Sequence, residues 1–593
     1  MRNQTRSGFD AGTLAWRVTA LGFALFCATA AAVLMTDAAF AHGGNLWDAA
    51  RVVLIFVTTL WLAWGAAQAV TGLPPLRRRT TDALPLPTAR TVVLLPICNE
   101  DPVAAALRLE AMERSCRAEG LTVDFAVLSD TRDPQAQARE YATFLPLLRE
   151  RPDRLRVYYR NRTDNHGRKA GNIEEFIRRS GAAWEFAVIL DADSLMEGAT
   201  IARMISRMMA DPQLGLLQTL PKIIGGSSLF GRAMMFAASF HSPVFARGLQ
   251  RMQGETGPFW GHNAIVRVRA LAQCCALPQL SGRPPFGGTI LSHDYVEAAL
   301  LARGDWRVEV DPALQGSYEE GPDNIIAYAR RDRRWCQGNL QHMRLLTAPG
   351  LKGWSRFVFL QGIAAYLVST LWAAFMIASV LATATEPLPN YFPEPYQLFP
   401  VFPDDRTREI VALAIGIGGL LLLPKLAILF SAIAERRTPG FGGTARATAG
   451  VFAEVLLSSL IAPVMLAYQT RAVFQVLSGQ DGGWPANQRG EGRLTLGEGF
   501  AAGSWIALWG LAVLLATQWL ASDLTIWLLP VTLPMIAAPL LIWATSLPLF
   551  DGLFVTPEDA DPSPVLAHYR ALQDRSAGTS NDESDRDAPA QAV

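Results

Sequence analysis

An Asp-Ala-Asp triplet, Asp191-Ala192-Asp193, follows the apolar run Phe186-Ala187-Val188-Ile189-Leu190. Two carboxylates one residue apart can hold a hard divalent cation, and that cation can hold a pyrophosphate. A short continuous apolar run reads as a strand buried on both faces. Open α/β sheets bind ligands beyond the carboxyl ends of such strands. Taken alone, the pair would serve equally well as a cap for the next helix. Other polar groups fall at equivalent places, however. Asn99-Glu100 follows the run Thr91-Val92-Val93-Leu94-Leu95-Pro96, and Asp130 follows a run from Val123 to Leu128. Three acidic positions on one sheet edge are a stronger signal than any one of them. The first two can hydrogen-bond a nucleoside, and the last can bind a metal.

Further along, His166-Gly167-Arg168-Lys169-Ala170-Gly171-Asn172 opens a predicted helix. The N–H groups at a helix start, together with Lys169, suit a phosphate. Asp294, in Leu291-Ser292-His293-Asp294-Tyr295, precedes an apolar helix. It is either an ordinary first-turn residue or a general base for a hydroxyl, with Glu297 one turn on as support or substitute. Arg330-Arg331-Asp332-Arg333-Arg334-Trp335 lies just before an apolar segment. Arginine forks grip a diphosphate in bidentate fashion, and a Trp face stacks on a sugar ring. A positive flank to a membrane helix would explain the arginines but not the Trp. Phe259-Trp260-Gly261-His262-Asn263 is a plausible acceptor cradle through Trp260 and His262. Asp481-Gly482-Gly483-Trp484 is a gating loop or merely a turn.

These residues need a scaffold, and the pattern supplies one. Strand-like runs alternate with helical stretches (104–119 and 169–179), which predicts an α/β domain with a mostly parallel sheet and helices on both faces. Around it lie segments of membrane length, near the ~20 apolar residues a span needs. Val18–Met35 and Val52–Val70 precede the polar block. Trp354–Ala384, Ile410–Ile433, Ala501–Leu520 and Ile526–Leu547 follow it. The first could pass for a signal peptide, but the second span close behind and Arg77-Arg78-Arg79 favour an uncleaved hairpin with the polar block cytoplasmic. Trp354–Ala384 exceeds one simple span and is expected to begin on the membrane surface. Val451–Leu477 contains Pro463 and is flanked by Arg446 and Arg471, so it is expected to stay at the inner face. The organisation is therefore an N-terminal hairpin (1–71), a cytoplasmic domain (72–350), interfacial helices and a membrane bundle (351–555), and a disordered cytoplasmic tail (556–593). Six crossings place both termini inside. Zero net charge argues against a nucleic-acid partner. The six Cys lack a C-x-x-C pair, which argues against a disulfide framework or zinc site.

In order, the motifs resemble those of the processive membrane glycosyltransferases of family two, the group of cellulose, chitin and hyaluronan synthases. That family carries a carboxylate after its second strand, a D-x-D, a T/S-x-D and a Q-x-x-R-W. Here Asp130, Asp191-Ala192-Asp193, Ser292-His293-Asp294 and Arg331 to Trp335 stand at those places, with His293 and Arg331 as departures. Lys169-Ala170-Gly171-Asn172-Ile173, Leu190 to Met196 and Arg331 to His342 are more closely similar to the glucosyltransferase H family of osmoregulated periplasmic glucan synthesis. The likeness covers about residues 90–560. It implies a GT-A fold, UDP-glucose as donor, Mg²⁺ or Mn²⁺, and inversion to a β-glucan passed across the bacterial inner membrane. Asn99, Glu100 and Asp130 would hold the nucleoside, and Lys169 and Asp191 the ribose and phosphates. Asp193, with Asp191, would bind the cation, and Asp294 would be the base. Arg331 and Arg334 would steady the diphosphate, with Trp335, Trp260 and His262 toward the growing glucan. Gln341-His342 would shape the acceptor end. The resemblance also allows a periplasmic glucan-processing protein and an acyl carrier protein as partners. The alternative is another enzyme of the same fold, such as a cellulose-like polymer synthase or one passing single sugars to a lipid carrier. A transporter without catalysis leaves the acidic residues and the Arg-Trp cluster unexplained.

Overall fold

A computed structural model describes residues 11–40, 44–75, 85–149, 152–386, 391, 396–400, 407–482, 492–548 and 552–586. Its strands are β1 (Thr91–Ile97), β2 (Asp124–Ser129), β3 (Val157–Asn161), β4 (Phe186–Ile189), β5 (Leu195–Met196), β6 (Leu214–Thr219), β7 (Lys222–Ile224), β8 (Ala264–Arg267), β9 (Arg307–Asp311) and β10 (Ser317–Glu320). Seven make one sheet in the order β3-β2-β1-β4-β8-β6-β9, and β5-β10-β7 make a second. β1 is parallel to β2 and β4, and β2 to β3. β8 runs against both β4 and β6. The parallel wing is the one expected from the sequence, and the sheet as a whole is mixed. The reversal matters for chemistry. β8 begins at the edge where β1, β2 and β4 end, so residues 259–263 arrive at that same edge.

The unbroken apolar run of β1 follows from burial on both faces. Val93, Leu95 and Ile97 join one core with Phe125, Val127 and the helix Pro102–Ala118. Val92 and Leu94 join the other with Ala126, Ile173 and Phe176, the last two from the helix Arg168–Ser180.

Among the described residues six helices are long and apolar enough to cross a membrane: Ala11–Ala39, Leu46–Gly72, Gly353–Ala384, Thr407–Ala434, Thr444–Leu477 and Leu496–Leu520. Gly353–Ala384 is unbroken over 32 residues. At 1.5 Å per residue it is about 48 Å long, enough to start beside the polar domain and still cross. The expected span Ile526–Leu547 is instead a broken pair, bent by 57° between Ile536 and Ala538. Pro530, Pro534 and Pro539 remove backbone donors around that break. Thr444–Leu477 keeps Pro463 inside a continuous helix. Near its start Val451 packs with Phe236 and Phe240 of the domain. Further on, Gln469 donates to Asp332 (3.0 Å), and Gln475 accepts from Arg333 (3.1 Å).

The expected disorder from residue 556 is overturned as far as residue 586. Pro557–Ala560 and Pro564–Arg586 are helical. Val565, Leu566 and Tyr569 are buried against the Pro102–Ala118 side of the sheet. Arg108 lies 5.2 Å from the Tyr569 ring centroid, and Arg232 holds Asp559 at 2.6 Å. The polar composition misleads because one short apolar stripe is enough to dock the helix. Residues 387–390, 392–395 and 401–406, and Gly483 and Trp484 of the candidate gating loop, lie outside the described residues.

Membrane hairpin and polar domain meet at a reciprocal glycine contact. A Cβ on Gly72 would sit 1.9 Å from the Val244 carbonyl oxygen, and one on Gly248 would sit 1.9 Å from that of Gln68. Only glycine lets the two backbones cross this closely. Helix propensity alone would make Gly248→Ala stabilising by ~1 kcal/mol. The contact predicts the reverse, a loss of about 1–3 kcal/mol, seen as a lower thermal midpoint in detergent. An unchanged or raised midpoint would refute the close crossing.

Candidate active site

Beyond the carboxyl ends of the strands lies a cavity of about 600 Å³. Lys169, Asp191, Asp193, Trp260, His262, Asp294, Arg331, Arg334 and Trp335 all line it. These nine, expected from the sequence, come together from five separate chain segments. Trp61 and Gln68 of the helix Leu46–Gly72 line the same space, as do Gln361 and Tyr366 of Gly353–Ala384. The cavity thus joins the polar domain to the apolar helices.

Asn99, Glu100 and Asp130 lie on the same sheet edge but do not line the cavity. Asn99 is held at a φ of 60°, and its backbone N–H donates to Thr131 Oγ1 at 3.0 Å. The Glu100 carboxylate accepts from the Cys98 backbone N–H. Asp130 is buried and fully engaged. Arg162 Nη2 donates to its Oδ2 at 2.9 Å, Arg162 Nε donates to Oδ1, and Asn172 Nδ2 reaches Oδ1 at 3.0 Å. Asn172 of the Lys-Ala-Gly-Asn run thus positions Asp130, while Lys169, three residues earlier, enters the cavity.

Lys169 Nζ donates to Asp191 Oδ1 and, at 2.7 Å, to the Gly261 carbonyl. This cation ties the loop after β4 to the loop before β8. Gln218 of β6 secures the second loop. Its Nε2 donates to the His262 carbonyl (2.9 Å), and its Oε1 accepts from the Trp260 N–H (3.0 Å). Asn263 is buried at a φ of 51° and donates to Ser317 Oγ (2.9 Å) and the Tyr318 carbonyl (3.0 Å).

Asp294 lies in the first turn of the helix His293–Arg303, beside Gly261. Burial lifts its carboxyl above the usual range, and Glu297 adds to this, while His293 opposes it. His293 Nδ1 is 3.4 Å from Glu297. Burial disfavours the imidazolium, but Glu297 outweighs it and leaves His293 raised. The loop entering this helix is held by the last turn of Ile325–Gln341. Gln341 Oε1 accepts from the Leu291 N–H (2.9 Å), and His342 Nε2–H donates to the Ser292 carbonyl (3.0 Å). Burial depresses His342 to about 4, so it makes this bond as a neutral ring. The pair therefore holds the loop that leads into Asp294.

The helix Ile325–Gln341 presents Arg331, Arg334 and Trp335 to the cavity. Arg331 lies over the Trp335 ring, 4.3 Å from its centroid. Glu319 and Tyr366 are among the cavity residues that the sequence reading did not single out. Glu319 of β10 lies 3.3 Å from His262 Nε2. Burial raises its carboxyl, with His262 and Arg331 opposing and Asp193 and Asp191 adding. Its signal was present in Glu319-Glu320-Gly321-Pro322, an acidic pair at the end of a short strand, but nothing local linked it to Asp193. Tyr366 looked like part of an apolar span. Among the described residues no group of three or more His, Cys, Asp or Glu is arranged to hold a metal by itself. Asp191 and Asp193 give two carboxylates, the donor set a cation shared with a diphosphate requires.

The glycosyl transferase family 2 profile matches residues 92–274, and that of glycosyl transferase family group 2 matches residues 186–412. The glucans biosynthesis glucosyltransferase H of Cereibacter sphaeroides is 54% identical over 565 residues, covering 94% of this chain and 95% of its own. The chain belongs to the glucosyltransferase H family. The protein of that name from Rhodopseudomonas palustris is 39% identical over 593 residues, covering 95% of this chain and 80% of its own. A solved mannosyltransferase of Pyrobaculum calidifontis, in complex with GDP-Man and Mn²⁺, is a distant likeness. Its TM-score is 0.43 at 17% identity, covering 74% of this chain and 100% of its own. A glucosyltransferase H is a family 2 hexosyltransferase. The parallel wing carries the Asp-x-Asp loop, and the mixed wing delivers Trp260 and His262. The apolar helices make this a multi-pass membrane enzyme.

With Asp294 as the proposed base, its position implies a pH dependence. A base must be deprotonated, so activity falls as pH drops through its pKa, and a raised pKa moves that acid limb upward. Replacing His293 by Gln removes a group that lowers the Asp294 pKa. The limb in a kcat/KM profile is expected to move to higher pH. A limb that stays in place would exclude His293 as the counter-charge.

Proposed function

We propose that this enzyme transfers glucose from UDP-glucose, with inversion, to a growing β-glucan and passes the polymer across the bacterial inner membrane. The observation that carries this reading is the single cavity in which Asp193, Asp294 and the Arg331–Trp335 pair meet residues of two membrane helices. Transfer to an acceptor held there needs no movement of product between sites.

In this reading the acceptor hydroxyl lies between Trp335 and Asp294. Its oxygen attacks the anomeric carbon, its proton passes to the Asp294 carboxylate, and the bond from that carbon to the diphosphate oxygen breaks. Lys169, Arg331 and Arg334 face the negative charge that grows on the departing UDP. Asp193 and Asp191 would hold Mg²⁺ or Mn²⁺, which supplies further charge neutralisation at the diphosphate. Asn99 and Glu100 lie at the edge where the uracil and ribose would extend, with Asp130 as the buried carboxylate that shapes it. Glu319 and His262 face the sugar side of the cavity.

The placement of the helix ends supports a cytoplasmic domain with both termini on its side. Arg17, near the start of Ala11–Ala39, donates to the carbonyls of Met252 (2.6 Å) and Gln253 (3.0 Å). The C-terminal helix packs on the domain as well. Thr444–Leu477 touches domain residues near both ends, as a helix lying along the membrane face does. The remaining five helices and the bent pair then make six crossings, and an even number returns the chain to its starting side.

Purified enzyme in lipid vesicles should release UDP from UDP-glucose with added Mg²⁺, build a labelled β-1,2-glucan, and stop on chelation. Asp294→Asn should lower kcat by about 10²–10⁴-fold while UDP binding persists. Turnover only with another UDP-sugar, or a lipid-linked monosaccharide as product, would overturn the glucan reading. Lost UDP binding in Asp294→Asn would overturn the assignment of the base.

A further inference from the structure

On the domain-side rim of the apolar helices, away from the cavity, lie two part-buried arginines. Arg247 lies on the helix Ser242–Gln253, and Arg437 follows the end of Thr407–Ala434. Buried N–H groups of both, Arg247 Nε and Nη2 and Arg437 Nη2, have no hydrogen-bond partner among the described residues. Glu435 is the nearby counter-charge, and it is held by Arg437 Nε (2.9 Å) and Ser431 Oγ (2.8 Å). Arg251, one turn beyond Arg247, is occupied with the carbonyls of Thr71, Pro74 and Pro75. Val244 and Phe245, just before Arg247, pack with Leu429 and Ala432, just before Arg437, which brings the two arginines to one place.

A positive flank at the inner face of a membrane explains arginines whose heads reach water. It does not explain guanidinium N–H groups that are buried and unmet, because buried donors normally find acceptors. Among the described residues nothing supplies the missing acceptor, and two neighbouring guanidinium groups suit an anionic one. Its surroundings narrow its nature. Ala69, Val244, Leu429 and Ala432 pack together, which brings the ends of the helices Leu46–Gly72 and Thr407–Ala434 to this place. Val70, Phe430 and Ile433 on those ends are exposed apolar side chains. A ligand here meets positive charge at the helix ends and an apolar surface along them.

We propose that Arg247 and Arg437 bind the phosphate of an anionic phospholipid, whose acyl chains lie along Phe430 and Ile433. Guanidinium forks match a phosphodiester, and the lone neighbouring carboxylate leaves net positive charge to attract it. The inference rests on the multi-pass membrane architecture and not on the identity of the sugar donor.

The test uses the full chain, with native mass spectrometry against phosphatidylglycerol and phosphatidylcholine. The wild type should retain phosphatidylglycerol in preference to phosphatidylcholine. The double variant Arg247→Gln, Arg437→Gln should lose that preference by about tenfold or more. Glu435→Gln removes the internal competitor and should strengthen retention, a gain that misfolding cannot produce. Wild-type retention in the double variant, or no gain in Glu435→Gln, would overturn the proposal. Excess inorganic phosphate that strips the bound phosphatidylglycerol would also overturn it, in favour of a free-phosphate site. UDP-glucose turnover, measured in parallel, separates this outcome from any failure of the catalytic reading.

Discussion

A Cβ on Gly338 would sit 2.2 Å from Ser292 Oγ and 2.7 Å from the Ser292 nitrogen. No other residue allows the helix Ile325–Gln341 to come so near the loop that carries the base. Because it does, Arg334 and Trp335 one turn back and Asp294 two residues on belong to one rigid unit. The Gln341 and His342 bonds to the same loop complete the clamp. The proposed inverting transfer needs a base on the hydroxyl and positive charge on the leaving group at a set separation, and this contact would set it.

The same helix also faces the membrane side. Asp332, buried between the arginines of the cluster, accepts from Gln469 (3.0 Å). Arg333 donates to Gln475 (3.1 Å) and to the Gln480 carbonyl (2.8 Å), and Gln337 donates to Asp481 (2.7 Å). Alternate residues of one motif thus serve different partners. Arg331, Arg334 and Trp335 face the cavity, while Asp332, Arg333 and Gln337 hold Thr444–Leu477 and the turn after it. A single helix thus links that turn to the cavity-facing arginines. Three of the four arginines therefore have a place beyond that of a positive flank.

Buried charge recurs where elements from distant parts of the chain meet. Lys425 and Glu454 pair at 2.7 Å between two apolar helices, with His241 of the domain 3.6 Å from the same carboxylate. Arg207 holds Glu309 (3.0 Å), and Lys222 holds Glu558 of the C-terminal segment. Such pairs add little net stability because desolvation offsets attraction, but breaking one leaves a buried charge unpaired. They act best as register marks, specifying which helix end meets which part of the domain.

The nine candidate residues that line the cavity were legible in the sequence because strand ends and local motifs announce them. The alternation of runs located β1, β2 and β4, and three acidic positions at their ends named one edge. Composition separated the polar block from the membrane segments. Glu319 and Gln218 stayed hidden because their importance lies in partners many residues away. β8 stayed hidden because nothing local encodes its antiparallel direction. The C-terminal helix was misread because a few apolar residues dock it onto a surface the sequence does not display. Local periodicity and residue type therefore determined the elements, the likeness to family 2 and the candidate chemistry. Only the tertiary structure decided which side chains share the cavity, that Asp130 is held by Arg162, and that the cavity opens onto membrane helices. These outcomes depend on close packing between distant segments, and no short window of sequence contains that information.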